Sequence, residues 1–418
     1  MLDSVVAHRA DVKENATRNS RLKVMQIISN LDIGGAQEVV RTLAAYLAEA
    51  GCVSIVCTFK DGPLREDIEQ LGIPVEILPA RRYSIVTFPL FVKDMLRIRQ
   101  ALVDLVKKHH IDVIQTHLLR VLDFLVLTVR DSTNTPLVFW TVHNTNEELQ
   151  REQLPRHKWL LKPKRLGYRL LYRLTARSVN GFIAVADGVK TELLETIGPF
   201  EEKITVICNG VDVKRYQKPI DKAVIRQNLG LSEQAHLITV VGTFKRQKGH
   251  CYLIEAASSL VTLFPDLHIL FIGDGDLREE LQAQTKTLGL DQHIHFLGSR
   301  HDVPDLFAAS DYFVLPSLWE GLPMALIEAM ASGLPIVATD VSGTRQVMIP
   351  GETGIVVPPG DAQQLKEAIE YFLSDPAQAR IMGAAAQRRI EGFSARKQAE
   401  EHIALYQREW NRSRSKVV

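Results

Sequence analysis

The chain reads as an α/β protein of two doubly wound, Rossmann-like parallel-sheet domains that face each other across a cleft. Three observations predict this. Apolar, β-rich runs alternate with helix-patterned segments from about residue 22 to 390. The runs are nearly continuous in Val, Ile and Leu, as in parallel strands buried on both faces. The alternation occurs twice, on either side of Asn209-Gly210-Val211-Asp212. At 418 residues the chain is also too long for one ordinary core.

Taken in order, the first set of strands is predicted at Lys23–Ser29, Val53–Phe59, Val75–Leu78, Val113–Thr116, Leu137–Val142, Gly181–Val185 and Thr205–Cys208. Between the first two, Val39, Val40, Leu43 and Leu47 share one helical face, and Gly51 supplies a C-terminal stop. The second set is predicted at Leu237–Val241, His268–Ile272, Ile294–Phe296, Tyr312–Leu315, Ile336–Thr339 and Gly354–Val356. Four segments follow: a polar, mobile N-terminal extension (1–21), a first domain (22–212), a second domain (213–393) and a C-terminal helix (394–418) that packs back on the first domain. A linker is expected at about 212–220, where Lys214 to Lys222 has few apolar residues.

Hydrophobic content of 46% and charged content of 24% belong to a folded globular protein. A net charge of +1 gives no global pull toward nucleic acid, so a charged partner needs a local patch. The four cysteines (Cys52, Cys57, Cys208 and Cys251) lie in or beside apolar runs without metal-type pairing. They read as buried reduced thiols of a cytoplasmic protein. The N-terminus lacks the apolar core of a signal peptide, and no apolar run approaches the roughly 20 residues of a membrane span.

The stretch Trp319-Glu320-Gly321-Leu322-Pro323-Met324-Ala325-Leu326-Ile327-Glu328-Ala329-Met330 carries the most chemistry. It reads as a strand end, a turn and a helix start, with Pro323 at the first helical position. The N–H groups of Met324, Ala325 and Leu326 then lack helical partners and form an anion site. Two carboxylates, Glu320 and Glu328, flank that site, which suggests a phosphate-bearing sugar substrate.

Four other motifs sit at predicted strand ends. Asn30 to Gln37 contains Gly34-Gly35, which lets the backbone approach a ligand; the same residues also fit a tight ligand-free turn. Val241-Gly242-Thr243-Phe244-Lys245-Arg246-Gln247-Lys248-Gly249 sets cations on a glycine-bracketed loop that can grip a diphosphate. Gly273-Asp274-Gly275-Asp276 resembles an acidic metal pair, but a glycine turn with Asp276 near the cap of the next helix explains it better. His143 closes an apolar strand, where it can donate to a sugar hydroxyl or serve as a structural histidine; His117 has the same ambiguity.

Arg156–Arg177 holds eight cations and no acidic residue, interleaved with Leu, Tyr and Trp. Arg81–Lys93 is a second basic and aromatic patch. Both suit peripheral contact with an anionic membrane, and equally a core helix with a basic outer face.

Glu320 and Glu328 stand in the Glu-x7-Glu spacing of retaining GT-B glycosyltransferases. With Gly34-Gly35-Ala36, Ala184 to Lys190, Asn209 to Asp212, Lys248-Gly249, Gly273-Asp274-Gly275 and Pro358 to Asp361 in order, the chain resembles glycosyltransferase family 4, also called glycosyl transferases group 1. The resemblance covers residues from about 23 to 410. It implies a GT-B fold, a nucleotide-sugar donor in the cleft and transfer with retention, with no cofactor and no metal. Glu328 is implied to bind the ribose and Glu320 to lie beside the donor sugar. Gly321, Leu322, Pro323, Met324 and Ala325 are implied to meet diphosphate and sugar. Lys248, with Arg246, Gly242 and Gly273 around it, is implied to neutralise the diphosphate, Gly34 and Gly35 to close over it, and His143 to touch the sugar. Thr243 replaces the family's usual arginine, with Lys245 or Arg246 as the candidate substitute, and Gln346 replaces a frequent glutamate and Ala186 a frequent serine.

The expected mechanism is front-face attack, with the leaving phosphate stabilised by Lys248, Arg246 and the helix start. The expected partner is a glycan or lipid-linked acceptor in cell-surface polysaccharide or glycolipid synthesis, with no nucleic acid. The location is cytoplasmic, with the inner face of the plasma membrane as the peripheral site. A sugar-nucleotide epimerase, a phosphorylase or a non-catalytic nucleotide-sugar binding protein would use the same cleft.

Overall fold

The computed structural model describes residues 21–78, 88–117, 121–129, 135–143 and 161–415. The extension expected at 1–21 falls outside them but for Arg21, as do the basic stretch before residue 161 and the patch at 81–87.

Two all-parallel sheets organise the chain. The first contains β1 (Lys23–Ile28), β2 (Val53–Thr58), β3 (Val75–Ile77), β4 (Val113–His117), β5 (Leu137–Val142), β6 (Gly181–Ala184) and β7 (Ile204–Val206). Its order is β3-β2-β1-β4-β5-β6-β7. The second contains β8 (His236–Val241), β9 (Leu267–Ile272), β10 (Ile294–Gly298), β11 (Tyr312–Leu315), β12 (Ile336–Thr339) and β13 (Ile355–Val357), in the order β10-β9-β8-β11-β12-β13. The central strands are buried on both faces, which is why they read as unbroken apolar runs, while the edge strands β3, β7, β10 and β13 are only partly buried.

The strand order of each sheet reverses once, between β1 and β4 and between β8 and β11. In open α/β sheets the crevice outside the strand ends at such a reversal is where ligands bind. Gly34-Gly35 follows β1 and opens α1 (Gly35–Glu49); the Gly242–Gly249 loop follows β8 and opens α2 (His250–Leu263). Both sequence motifs therefore sit at switch points.

The chain passes between the halves twice, side by side. Val211 N–H donates to Phe393 O at 3.0 Å, and Ala395 N–H to Val211 O at 2.9 Å. Beyond the first crossing, residues expected as a bare linker form a helical turn (Val213–Tyr216) whose Tyr216 is buried against Phe307. An aromatic side chain in an otherwise polar stretch gives that turn an anchor. Beyond the second crossing, α3 (Ala395–Ser415) lies on α1, and its Tyr406 ring packs 5.2 Å from Phe139 of the first sheet.

A polar set lies beneath α3. His402 Nδ1 donates to Gln398 O at 2.8 Å, which leaves its Nε2 to accept from Gln115 at 3.2 Å. Gln115 also donates to Thr141 Oγ1 at 2.6 Å and accepts from the Tyr406 hydroxyl. Every polar atom of Gln115 is thus used, as a buried amide requires.

The four cysteines are free; Cys57 is buried and the other three are half-buried. Among the described residues no helix is long and apolar enough to cross a membrane.

Candidate active site in the interdomain cleft

The C-terminal edges of the two sheets enclose a cleft of about 520 Å³. From the first half it is lined by Asn30, Asp32, the Gly34-Gly35 loop, Glu38, Asp67 and His143. From the second half come Gly242, Lys245, Lys248, Gly273, Asp274, Arg300, Glu320, Leu322, Pro323, Met324, Ala325 and Glu328. Between them stand Arg215 and Tyr216 of the crossing turn.

Glu320 follows β11 and is 5% exposed. Its Oε1 lies 2.5 Å from Lys248 Nζ and accepts from Ser317 Oγ at 2.8 Å; Gln247 donates to Oε2 at 3.4 Å. Gly249 makes this possible. Its φ of 62° is left-handed, and a Cβ there would lie 2.0 Å from Pro316 O. That glycine turns the chain so that the preceding Lys248 reaches across to the β11 loop. Gly273 is constrained in the same way: φ is 142°, and a Cβ would meet Gly242 O at 2.1 Å.

A short helix, α4 (Met324–Ala331), carries Glu328. Pro323 is its N-cap, with ψ 116°, and not its first helical residue as expected. An extended ψ suits the residue that turns the chain into the helix, so the strand-to-helix bend falls one position later. Leu326 N–H is also taken, by Pro323 O at 3.2 Å, which leaves Met324 and Ala325 as the helix-start residues on the cleft. Gly35 faces this start from the other half: a Cβ on it would lie 3.6 Å from Met324 Cγ.

Glu328 meets a different environment. Tyr216 is its close polar neighbour. Burial, with the charge of Glu38, pushes its pKa up to about 7, against the pull of Tyr216, Arg215 and Arg41. Glu38 is paired instead. Burial pushes its carboxyl up, but Arg41 and Arg215 (2.6 Å) outweigh that and hold it below its ordinary value. Arg215 also donates to His301 O at 3.3 Å, tying the crossing turn to the second half.

His143 is 6% exposed, and burial lowers its pKa to about 4, with His402 adding to the effect, so it is neutral at pH 7. Its Nε2 lies 2.9 Å from Nδ1 of His117, the last residue of β4.

Two expected site residues do not line the cleft. Arg246 is exposed on the outer side of the loop, in a 3-10 turn that presents Lys245 and Lys248 instead. Gly321 is buried under Gly343, whose Cβ would lie 2.2 Å from Gly321 O. The Asp274 carboxylate is used locally, by Gly275 N–H at 2.8 Å and Arg278 at 3.2 Å. Asp276 does not cap the following helix; Leu277 holds that position without a side-chain bond. Sequence reading missed Glu38, Arg215, Tyr216 and Arg300 as lining groups, and of the two loop cations it offered, Lys245 and Arg246, it is Lys245 that lines the cleft. Tyr216, an aromatic within Lys214–Lys222, was the available signal.

Two family models match the chain. Glycosyltransferase Family 4 matches residues 33–215 and Glycosyl transferases group 1 matches residues 221–389. Among curated relatives, UDP-Gal:alpha-D-GlcNAc-diphosphoundecaprenol alpha-1,3-galactosyltransferase of Escherichia coli is 27% identical over 85% of this chain and 89% of its own length. Lipopolysaccharide core biosynthesis mannosyltransferase LpsB of Rhizobium meliloti (strain 1021) is 32% identical over 44% of this chain and 53% of its own. The solved structure of Anabaena Alr3699/HepE with UDP and glucose superposes with TM-score 0.77 at 21% identity, covering 92% of this chain and 99% of that one. WaaG, a glycosyltransferase involved in lipopolysaccharide biosynthesis, gives TM-score 0.71 at 19% identity over 91% and 98%.

Proposed function

The chain belongs to the glycosyltransferases described by these two family models and has their GT-B fold, and from that premise we propose transfer from a nucleotide-sugar donor to a lipid-linked or glycan acceptor, with retention at the anomeric carbon. The observation that carries the reading is the Lys248–Glu320 ion pair beside the start of α4, at the switch point of the second sheet.

The donor diphosphate is assigned to Lys248, the N–H groups of Met324 and Ala325, and the positive end of α4. An ammonium has three donors, so Lys248 can hold Glu320 and a phosphate oxygen together. As the glycosidic bond breaks, negative charge grows on the leaving phosphate, and fixed cationic groups stabilise it most at that moment. The acceptor hydroxyl attacks from the same face and gives its proton to the leaving phosphate oxygen, which preserves the anomeric configuration. Glu320 steadies the positive charge that develops on the sugar. Glu328 takes the ribose hydroxyls and His143 a donor-sugar hydroxyl. No step in this scheme draws on a metal.

Membrane contact belongs to the same reading. On the helix Leu161–Thr175, Leu170, Leu171 and Leu174 are 59%, 39% and 67% exposed, beside exposed Arg173 and Arg177. Tyr172 of the same helix packs edge-on against Trp140 of β5, which fixes the exposed face outward. The named E. coli relative acts on a diphosphoundecaprenol-linked substrate, and a lipid-linked acceptor lies at such a surface.

The test is a thermal-shift panel of UDP, GDP and ADP with their sugars, since a ligand of the folded state raises Tm according to affinity. Transfer by the stabilising donor, with the product's anomeric configuration read by NMR, follows. An inverted product rules out retention, and a covalent adduct on Glu320 rules out front-face attack. Full activity in EDTA is expected. Sedimentation with anionic liposomes should fall as salt rises.

A further inference from the structure

We propose that His117 is a positioning residue that fixes the tautomer of His143, so that His143 presents an N–H, not a lone pair, to the cleft. The inference deepens the proposed function and rests on it for the identity of the group that N–H meets.

The geometry leaves two arrangements. Both imidazoles are neutral at pH 7, because burial lowers His117 well below its ordinary value and His143 to about 4. Each ring therefore carries one proton. The 2.9 Å contact joins His117 Nδ1 to His143 Nε2, so one of those two nitrogens holds the shared proton and the other accepts it.

If His143 Nε2 carried the proton, His117 Nδ1 would be the acceptor and the proton of His117 would sit on its own Nε2. That nitrogen is buried and, among the described residues, has no partner. An N–H sealed in the interior without an acceptor is the rarer and costlier defect. With the proton on His117 Nδ1, Nε2 of His117 is bare and His143 Nε2 accepts. The proton of His143 then sits on Nδ1.

Among the described residues Nδ1 of His143 has no hydrogen-bond partner and is not one of the sealed atoms, and His143 lines the same cleft as Gly35 and Glu320. An N–H there complements hydroxyl and phosphate oxygens, which accept. A bare nitrogen would face a phosphate oxygen lone pair to lone pair and could only accept from a hydroxyl, whereas the N–H donates to either. Orientation of one ring nitrogen by a hydrogen bond to the other is a general device of histidine sites.

The test needs no ligand. Protein labelled with 15N histidine gives two-bond proton–nitrogen spectra that separate the tautomers, and His143→Gln assigns the His143 signals. Wild type should show a protonated Nδ1 and an unprotonated Nε2 on His143. A protonated His143 Nε2 overturns the proposal and needs no variant to fold. His117→Leu should shift His143 toward the Nε2–H form, and His117→Asn, whose amide N–H can replace Nδ1–H, should restore the wild-type pattern. A His143 tautomer unchanged in His117→Leu also overturns the positioning role.

A second measurement separates this from the functional reading. His143→Ala should lessen the extra thermal stabilisation that UDP-glucose, UDP-galactose, GDP-mannose or ADP-glucose gives over the bare nucleotide. If that difference is unaffected while the spectra are as expected, the sugar contact fails and the tautomer assignment stands.

Discussion

The two switch points face each other across one cleft and are built on different electrostatic plans. At β8/β11 the groups are charged and paired: Lys248 to Glu320, beside a helix start. At β1/β4 the groups nearest the strand ends are a Gly-Gly loop and two neutral histidines joined by a hydrogen bond, and the carboxylates around them, Asp32 and Glu38, are paired with Lys60, Arg41 and Arg215. The same topology thus yields one edge suited to a diphosphate whose charge changes during reaction, and one suited to hydroxyls. Mutations at the first should act mainly on turnover and at the second mainly on recognition.

The largest effect is expected from Lys248→Ala. Loss of a preorganised charge at the leaving group lowers kcat by roughly 10²–10³-fold, with a smaller change in KM. A variant that raises KM and leaves kcat intact would place Lys248 in uniform binding, and the contrast between the two edges would fail.

Glu328 lies where the two plans meet, since its neighbours Tyr216 and Glu38 come from the crossing turn and the first half. Glu328→Ala should lower kcat/KM by roughly ten- to a hundredfold, the worth of a charged hydrogen bond. The pH dependence is sharper. Its carboxyl is raised from 4.5 to about 7, so folding favours the protonated form. The stability this contributes is complete below the unfolded value and lost as pH rises through about 7. Nucleotide affinity should run the other way, since an ionised carboxylate is the better acceptor for ribose hydroxyls. Between pH 6 and 8, ligand-free Tm should fall while the affinity of the panel's stabilising nucleotide rises, and Glu328→Gln should flatten both. Parallel trends would remove Glu328 from the ribose site.

Beneath the neutral edge, Tyr406→Phe leaves Gln115 Oε1 without its donor. The expected loss is about 1–3 kcal/mol of stability by denaturant unfolding. Because no charge is involved, the loss should be equal at low and high salt. A salt-dependent loss would mean that the histidines around it are charged and that the two edges do not differ in this way.

Legibility in the sequence followed the same divide. The strands were readable from their apolar runs, and Glu320, the start of α4 and Glu328 from one contiguous strand–helix unit. What was hidden depends on contacts between distant segments. His117 and His143 are 26 residues apart, and only the register of β4 and β5 sets their rings together. The setting of Glu328 is assembled from Glu38, Arg215 and Tyr216, and a local motif holds no trace of them. The differences in local placement were of a third kind. Pro323 and Arg246 were assigned by local rules, and a one-residue shift of a helix start or a 3-10 turn decides which side chains face the cleft.

The smallest effect tests that last point. Thr243 stands where an arginine is usual, and Lys245 is the loop cation that lines the cleft in its place. Its ammonium is exposed to solvent, so screening limits what it adds to a diphosphate contact. Lys245→Ala should raise KM for the donor by no more than about fivefold, an exposed ion pair's usual worth. Arg246→Ala should change neither kcat nor KM, because that side chain does not line the cleft. Steady-state kinetics on the two variants side by side decide between them. A larger loss in Arg246→Ala would mean that donor binding reorders the loop and brings its guanidinium onto the diphosphate. The charged edge would then be assembled by the ligand and not preformed by the fold.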